Sequence, residues 1–327
     1  MKALRTAFFL GGVALVAYLV ARLGAKSVAA ALSRLTWREL LLVCLPVGLS
    51  MLLTTFGWRY TFAGKPPPYT TMLAARIAGE AMNVVSFLGS IGGEAVKVWL
   101  LRPVVSYQES VPSVVIAKTA VAIGQALFLV LGLILAMDTG IAGSRVVLAM
   151  LALVTLEALA VSGFVAVQLT GVIGRIGRLL VRVGLIQHSA DAEDLDASLR
   201  RFYRRQWPQF LLALAAHFAA WLTDVLEALV ILFVLGVHVG VVMAVLIETL
   251  GSSVEFLTFF IPGRFGILEG ANTAIFAVLG LGASQGLAFS LVRRARQAVW
   301  IGVGLLVLVA TRAALDPVIR APGAVRS

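Results

Sequence analysis

The chain has 327 residues, 60% of them hydrophobic and only 13% charged, where roughly 45–50% and about 25% are usual in soluble domains. With a mean hydropathy of +0.99, this excludes both an ordinary water-soluble globule and a disordered chain. The 27 Lys and Arg against 16 Asp and Glu give +11, an excess that in a membrane protein reports cytoplasmic loops and anionic headgroups before nucleic acid.

A helix crossing about 30 Å of hydrocarbon needs about 20 mostly apolar residues. Met1 to Val20 carries Lys2 and Arg5 ahead of an apolar run but has no small-x-small cleavage site before Arg22, so Thr6 to Ala21 reads as an uncleaved first span. Leu40 to Trp58 is charge-free and reads as the next span. Thr70 to Pro103 is apolar in mean yet holds Arg76, Glu80, Glu94 and Lys97 around Gly89, Gly92 and Gly93. Backbone freed by glycine at membrane depth must be satisfied by protein or a wet cavity, so this stretch is predicted to be a broken or re-entrant helix. An ordinary pair of spans with a short loop is the plainer alternative.

Thr119 to Met137 is a further span, and Val146 to Gly174 another, interrupted only by Glu157. Residues 170–208 are the aqueous segment. Seven arginines lie there with four acids between Asp191 and Asp196, and Arg175, Arg178 and Arg182 recur at helical spacing, as on a helix resting on an anionic surface. Its basic excess assigns this loop to the cytoplasm, together with a short polar tail, 312–327. The basic stretch Arg22 to Arg38 leaves the orientation of the first two spans open.

In the second half, Gln206 to Gly236 reads as a span that carries His217, Trp221, Asp224 and Glu227 on one helical stripe. Val237 to Gly270 is a second anomalous stretch, with Glu248, Glu255, Arg264 and Glu269 around Ile261-Pro262-Gly263. Gly270 to Val292 and Gln297 to Thr311 supply one or two more spans on either side of Arg293, Arg294 and Arg296. The expectation is an all-α, polytopic transmembrane bundle of six to eight spans forming one integral membrane domain over residues 1–327. The triplet Glu80, Glu94, Lys118 has spacings of 14 and 24, and so has Glu255, Glu269, Arg293, which suggests two repeats with paired broken segments. Coincidence is the competing reading, because the intervening residues match poorly.

Eight acids and seven bases thus lie in membrane-depth sequence, each costing about 2.5–3.5 kcal/mol at a helix centre. They must face inward. A lone residue such as Glu157 or Lys118 is read first as a salt bridge or a snorkelling side chain. The set as a whole is near neutral and suits a hydrophilic path for a zwitterionic or anionic headgroup. No P-loop, nucleophile elbow or paired metal-spaced histidines occur, and with one cysteine, Cys44, and three histidines neither a metal nor an organic cofactor is expected. Gly280 to Gly286 mimics a dinucleotide loop only superficially and reads as close helix packing.

The segment Gly92-Gly93-Glu94-Ala95-Val96-Lys97-Val98-Trp99-Leu100-Leu101, after Asn83 and Phe87, resembles the GGE/D-x-x-R-x-x-L signature of the lysylphosphatidylglycerol synthase transmembrane, or flippase-like, family. Ile261 to Gly270 is similar to that family's P-x-x-(L/F)-G-x-x-E-(G/A) element, and Trp58-Arg59 and the basic Lys118 also fit. The resemblance implies a bacterial inner-membrane protein that moves lipids between leaflets, and Leu291 to Arg296 resembles the branch associated with hopanoid lipids. Lys97 and Lys118 stand where arginine is usual, which loses the bidentate fork. The chain ends at Ser327 without a soluble acyltransferase-like domain, so aminoacylation is not carried over.

The expected function is therefore lipid translocation, without catalysis, through a charged groove. The residues expected to meet the headgroup are Glu94, Lys97, Arg264, Glu269, Arg293, Arg294 and Arg296, with Glu80, Lys118, Asp224, Glu227, Glu248 and Glu255 supporting or coupling. Membrane lipids are the expected partners, nucleic acid is not, and a homodimer is left open. The alternatives are an accessory subunit or embedded enzyme of a lipid-modifying pathway, and a proton-coupled small-solute transporter.

Overall fold

A computed structural model describes residues 36–86, 90–140, 143–182, 190–259, 261 and 264–320. The expected first span Thr6 to Ala21, the motif residues Phe87, Gly89, Pro262 and Gly263, and His188 lie outside the described residues. Among those described there are eleven helices and no strand. They are α1 (Trp37–Arg59), α2 (Tyr69–Val85), α3 (Ser90–Leu101), α4 (Tyr107–Thr139), α5 (Ser144–Thr170), α6 (Val172–Arg182), α7 (Ala190–Arg205), α8 (Trp207–Val234), α9 (Val241–Leu257), α10 (Ile267–Val278) and α11 (Ala283–Arg320). Five of them, α1, α4, α5, α8 and α11, are long and apolar enough to cross a membrane, as expected of a polytopic helical bundle.

Both anomalous stretches are helix pairs. Helices α2 and α9 have 17 residues and α3 and α10 have 12, about 26 and 18 Å at a rise of 1.5 Å per residue, the first at the lower limit of a spanning helix and the second too short to span alone. Glycine sets how closely the first pair approaches. A methyl group on Gly93 would land on the Asn83 side chain and the Gly79 carbonyl, and one on Gly79 would strike Lys97. Gly93→Ala is therefore expected to lower stability by about 2 kcal/mol through overpacking against backbone that cannot yield, read as a fall in the melting temperature of the detergent-solubilised protein.

Helix α4 starts at Tyr107, well before the expected Thr119, and two boundaries in the second half also differ from expectation. Gly270 to Val292 is not a continuous span: the chain turns at Gly280 (φ 77°) and Gly282 (φ 92°), so α10 stops at Val278. Helix α11 then runs unbroken through Arg293, Arg294 and Arg296 to Arg320, so the arginines lie within a helix instead of marking its end, and the tail is helical beyond residue 312. They can do so because carboxylates from three other helices meet them. Gly286 does report close packing, against the Asn272 backbone.

The segment 170–208 folds into α6 and α7, which pack on each other and against α4 and α5. Gly171 ends α5 in the left-handed region (φ 72°). Asp196 is buried and accepts the Gly174 N–H at 2.6 Å, while Arg178 pairs with Glu193 at 3.0 Å. Gln168 of α5 exchanges hydrogen bonds with Thr119 of α4 and accepts one from Tyr203 of α7 at 2.9 Å. Two of the acids predicted to be solvated thus hold α6 and α7 to each other, and Tyr203 and Gln168 tie the pair to the bundle.

The helix order gives the two halves the same alternation of long and short helices. Helices α1, α2, α3 and α4 have 23, 17, 12 and 33 residues, and α8, α9, α10 and α11 have 28, 17, 12 and 38. The leading helices α1 and α8 pack on each other, while α2 lies on α11 and α9 lies on α4. Each 17-residue helix thus packs against the long helix of the other half, while α3 and α10 lie on the long helix of their own. An apolar core of Phe128, Ile231, Leu232, Ile247, Phe276 and Phe289 closes one side, and one of Trp58, Met72, Leu100 and Leu101 the other.

Candidate functional site: two ion networks around a cavity

Glu94 and Lys97 are three residues apart on α3 and so share a face. Their ends meet at 2.9 Å, and Lys97 also reaches Glu80 of α2 at 3.2 Å. Arg76, one turn before Glu80, pairs with it at 3.3 Å, and Lys118 of α4 reaches Glu94 at 2.7 Å. Asn83 donates a further hydrogen bond to Glu80. Three cations thus serve two carboxylates. Lys97, whose side chain is 2% exposed, is the cation that touches both.

The second network spreads from α11. Arg293 pairs with Glu248 of α9 at 2.7 Å and Glu227 of α8 at 3.5 Å, and Arg296 reaches Glu227 at 3.1 Å. Arg294 turns the other way to Glu269 of α10 at 2.6 Å, donates to Gln297 and to the Arg264 carbonyl, and lies 4.6 Å over the Phe265 ring. Glu269 has a second duty, accepting the Gly266 N–H at 2.7 Å and so capping α10. Arg264, in the left-handed region at φ 47°, pairs with Glu255 at 3.5 Å. Four cations meet four carboxylates here. Asp224, a fifth carboxylate on the same wall, has no ion-pair partner among the described residues.

One contact recurs in the two halves, one residue away from the spacing of the internal echo. Lys118 is the twelfth residue of α4 and pairs with Glu94 of the 12-residue helix before it; Arg294, not Arg293, is the twelfth of α11 and pairs with Glu269 of its own preceding 12-residue helix. Spacing alone matched Glu269 with Arg293, whose carboxylates are instead Glu227 and Glu248.

Between the networks lies a cavity of about 400 Å³, within the range of ligand pockets and large enough for a headgroup. Of the residues predicted to meet the headgroup, Arg264, Arg293, Arg294 and Arg296 line it, as do the predicted supporting residues Glu80, Lys118, Asp224, Glu227, Glu248 and Glu255. Glu94, Lys97 and Glu269 stand behind this wall; Glu94 and Lys97 border a minor recess of about 10 Å³ shared with Arg76 and Lys118. From there Glu94 and Glu269 hold the cavity-lining cations Lys118 and Arg294, and Lys97 holds Glu80 and Glu94.

Arg76, His217, Trp221, Ser50 and Thr54 also face the cavity and were not among the predicted site residues. His217 and Trp221 were legible as members of the stripe that includes Asp224, whereas Arg76 gave no signal beyond its charge. His217 is 1% exposed and neither ring nitrogen has a hydrogen-bond partner. Lys118 follows the salt-bridge reading. Glu157 does not: it is buried in α5, and its Oε1 has no partner among the described residues.

No curated protein and no solved structure gives a significant match to this chain. The family model described as "Lysylphosphatidylglycerol synthase TM region" matches residues 3–305, a stretch that includes both short-helix pairs, both ion networks and the cavity between them. The chain belongs to the lysylphosphatidylglycerol synthase transmembrane family.

Proposed function

We propose that this protein moves a polar-headed lipid between leaflets without altering it chemically, the headgroup passing through the cavity while acyl chains or a hopanoid body stay in hydrocarbon. The observation that carries this reading is the cavity itself: charged side chains from α2, α4, α8, α9 and α11 surround one hydrophilic space. Isolated structural pairs have no reason to converge on a common void. Membership of a family named for a lipid synthase's membrane region supports a role in lipid metabolism or transport. On this reading the protein sits in the inner membrane, with the basic segment 170–208 and the C-terminus cytoplasmic.

The test uses the full chain in liposomes with a headgroup-labelled phospholipid and a membrane-impermeant quencher. Protein-dependent exposure of the inner-leaflet label, with the lipid's mass unchanged, is the expected result. Ser50→Trp, which places an indole in the cavity while leaving both ion networks intact, is expected to abolish that exchange. No exchange by the folded wild-type protein, or a changed lipid mass, overturns the proposal, and a changed mass points to an embedded enzyme. Asp224, lining the cavity without a counter-ion, favours proton-coupled carriage of a small solute as the second reading. That reading predicts uptake that follows an imposed proton gradient and no lipid exchange.

A further inference from the structure

The cations at the two ends of the cavity are committed to different degrees. In the second network four arginines face four paired carboxylates, and the wall there carries the additional acid Asp224. In the first network Lys97 alone bridges both Glu80 and Glu94. Arg76 and Lys118 are therefore in excess by one positive charge, and both line the cavity. The Arg76 Nε is buried with no hydrogen-bond partner, and the Lys118 side chain is 36% exposed, the most open of the network's cations.

His217 of α8 contributes an independent observation. Its ring is held between helices, close enough to Gly57 of α1 that a methyl group there would sit 3.2 Å from Cδ2. Both nitrogens are left without a partner in a cavity wall that also holds Arg76 and Lys118. A buried imidazole in that position is costly unless something satisfies it. A guanidinium, an ammonium and an imidazole N–H, from three helices, form a donor set suited to a tetrahedral oxyanion. Trp221, one turn on from His217 and stacked on Phe128 at 6.0 Å and 14°, provides an apolar wall beside it.

We propose that Arg76, Lys118 and His217 form a phosphate-binding subsite at the first-half end of the cavity. This deepens the lipid-translocation reading and rests on it for the source of the phosphate, a lipid headgroup; free phosphate is the other source of the same chemistry. The arginines of α11, committed to carboxylates, hold the opposite wall in place.

The test is equilibrium binding to the detergent-solubilised full chain, with short-chain phosphatidylglycerol as phosphate probe, short-chain glucosyl diacylglycerol as neutral probe and inorganic phosphate as competitor. Lys118→Gln and His217→Phe are each expected to weaken phosphatidylglycerol binding about tenfold or more while leaving the neutral probe unaffected; Lys118→Arg is expected to retain binding. These variants leave Glu94 paired with Lys97, so no carboxylate of the network is orphaned. Competition by inorganic phosphate identifies the free ion as sufficient, and its absence identifies the lipid as the ligand. Equal loss for both probes, no loss, or no binding of phosphatidylglycerol to the folded wild type overturns the subsite. Binding that responds as expected in a protein without lipid exchange sustains the subsite and refutes translocation; exchange with unresponsive binding does the reverse.

Discussion

Arg293→Met is expected to destabilise the protein by about 3–5 kcal/mol, the cost of breaking a buried ion pair from one side. Arg293 is the only cation that pairs with Glu248 among the described residues, and Arg296 would then face Glu227 while Asp224 still lacks a partner. Three carboxylates would share one cation. The measurement is thermal unfolding in detergent, and adding Glu248→Gln to Arg293→Met is expected to restore part of the loss, the coupling appearing in a double-mutant cycle. Lys97→Met is the contrast. Lys97 is more buried than Arg293, yet its removal leaves Glu80 with Arg76 and Glu94 with Lys118. Its cost is expected to be the smaller of the two. Equal losses, or an Arg293→Met protein that melts with the wild type, contradict this assignment of charge surplus and deficit.

Glu269→Ala is the second large effect expected. It removes the acceptor of the Gly266 N–H, worth about 1 kcal/mol at a helix start, and the carboxylate facing Arg294, whose loss approaches about 3 kcal/mol. Arg294 keeps its bonds to Gln297 and the Arg264 carbonyl, so the upper end of the buried-pair range is not reached. Glu269→Gln retains an oxygen for Gly266 and is expected to cost less than Glu269→Ala. Hydrogen exchange is the direct readout: protection should fall in residues 264–278 and remain in α1 and α8. A uniform loss of protection would mean that Glu269 holds the whole bundle and not the start of α10.

Apolar run length located α1, α4, α5 and α8 to within a turn or so, except at the start of α4. There the charge-free run begins only at Thr119, just after Lys118, whereas the helix begins at Tyr107 and carries Lys118 inward to Glu94. The same reasoning placed a boundary at Arg293 to Arg296. In both places the penalty for a buried charge was read correctly, but whether a partner on another helix offsets it is not contained in local sequence. Both interrupted stretches were legible because glycine, proline and charge coincide there. The site was legible as a set and less so as a geometry: Glu94, Lys97 and Glu269, the motif residues, stand behind the wall, while His217 was visible only as one member of a stripe. A motif marks where backbone and ions must fit together, and that need not be where a ligand touches.

The exchanged packing of the short helices limits how the cavity can change its access. With α2 seated on α11, where a methyl group on Gly304 would meet Ala81 and the Ile77 carbonyl, and α9 seated on α4, where one on Gly132 would meet Thr249, parting the halves as rigid blocks would break two close contacts. Rocking one against the other would shear both contacts at once. If the cavity exchanges a headgroup between leaflets as proposed, access is expected to switch by small slides of α2–α3 and α9–α10 along the long helices, with glycine acting as the bearing surface between them.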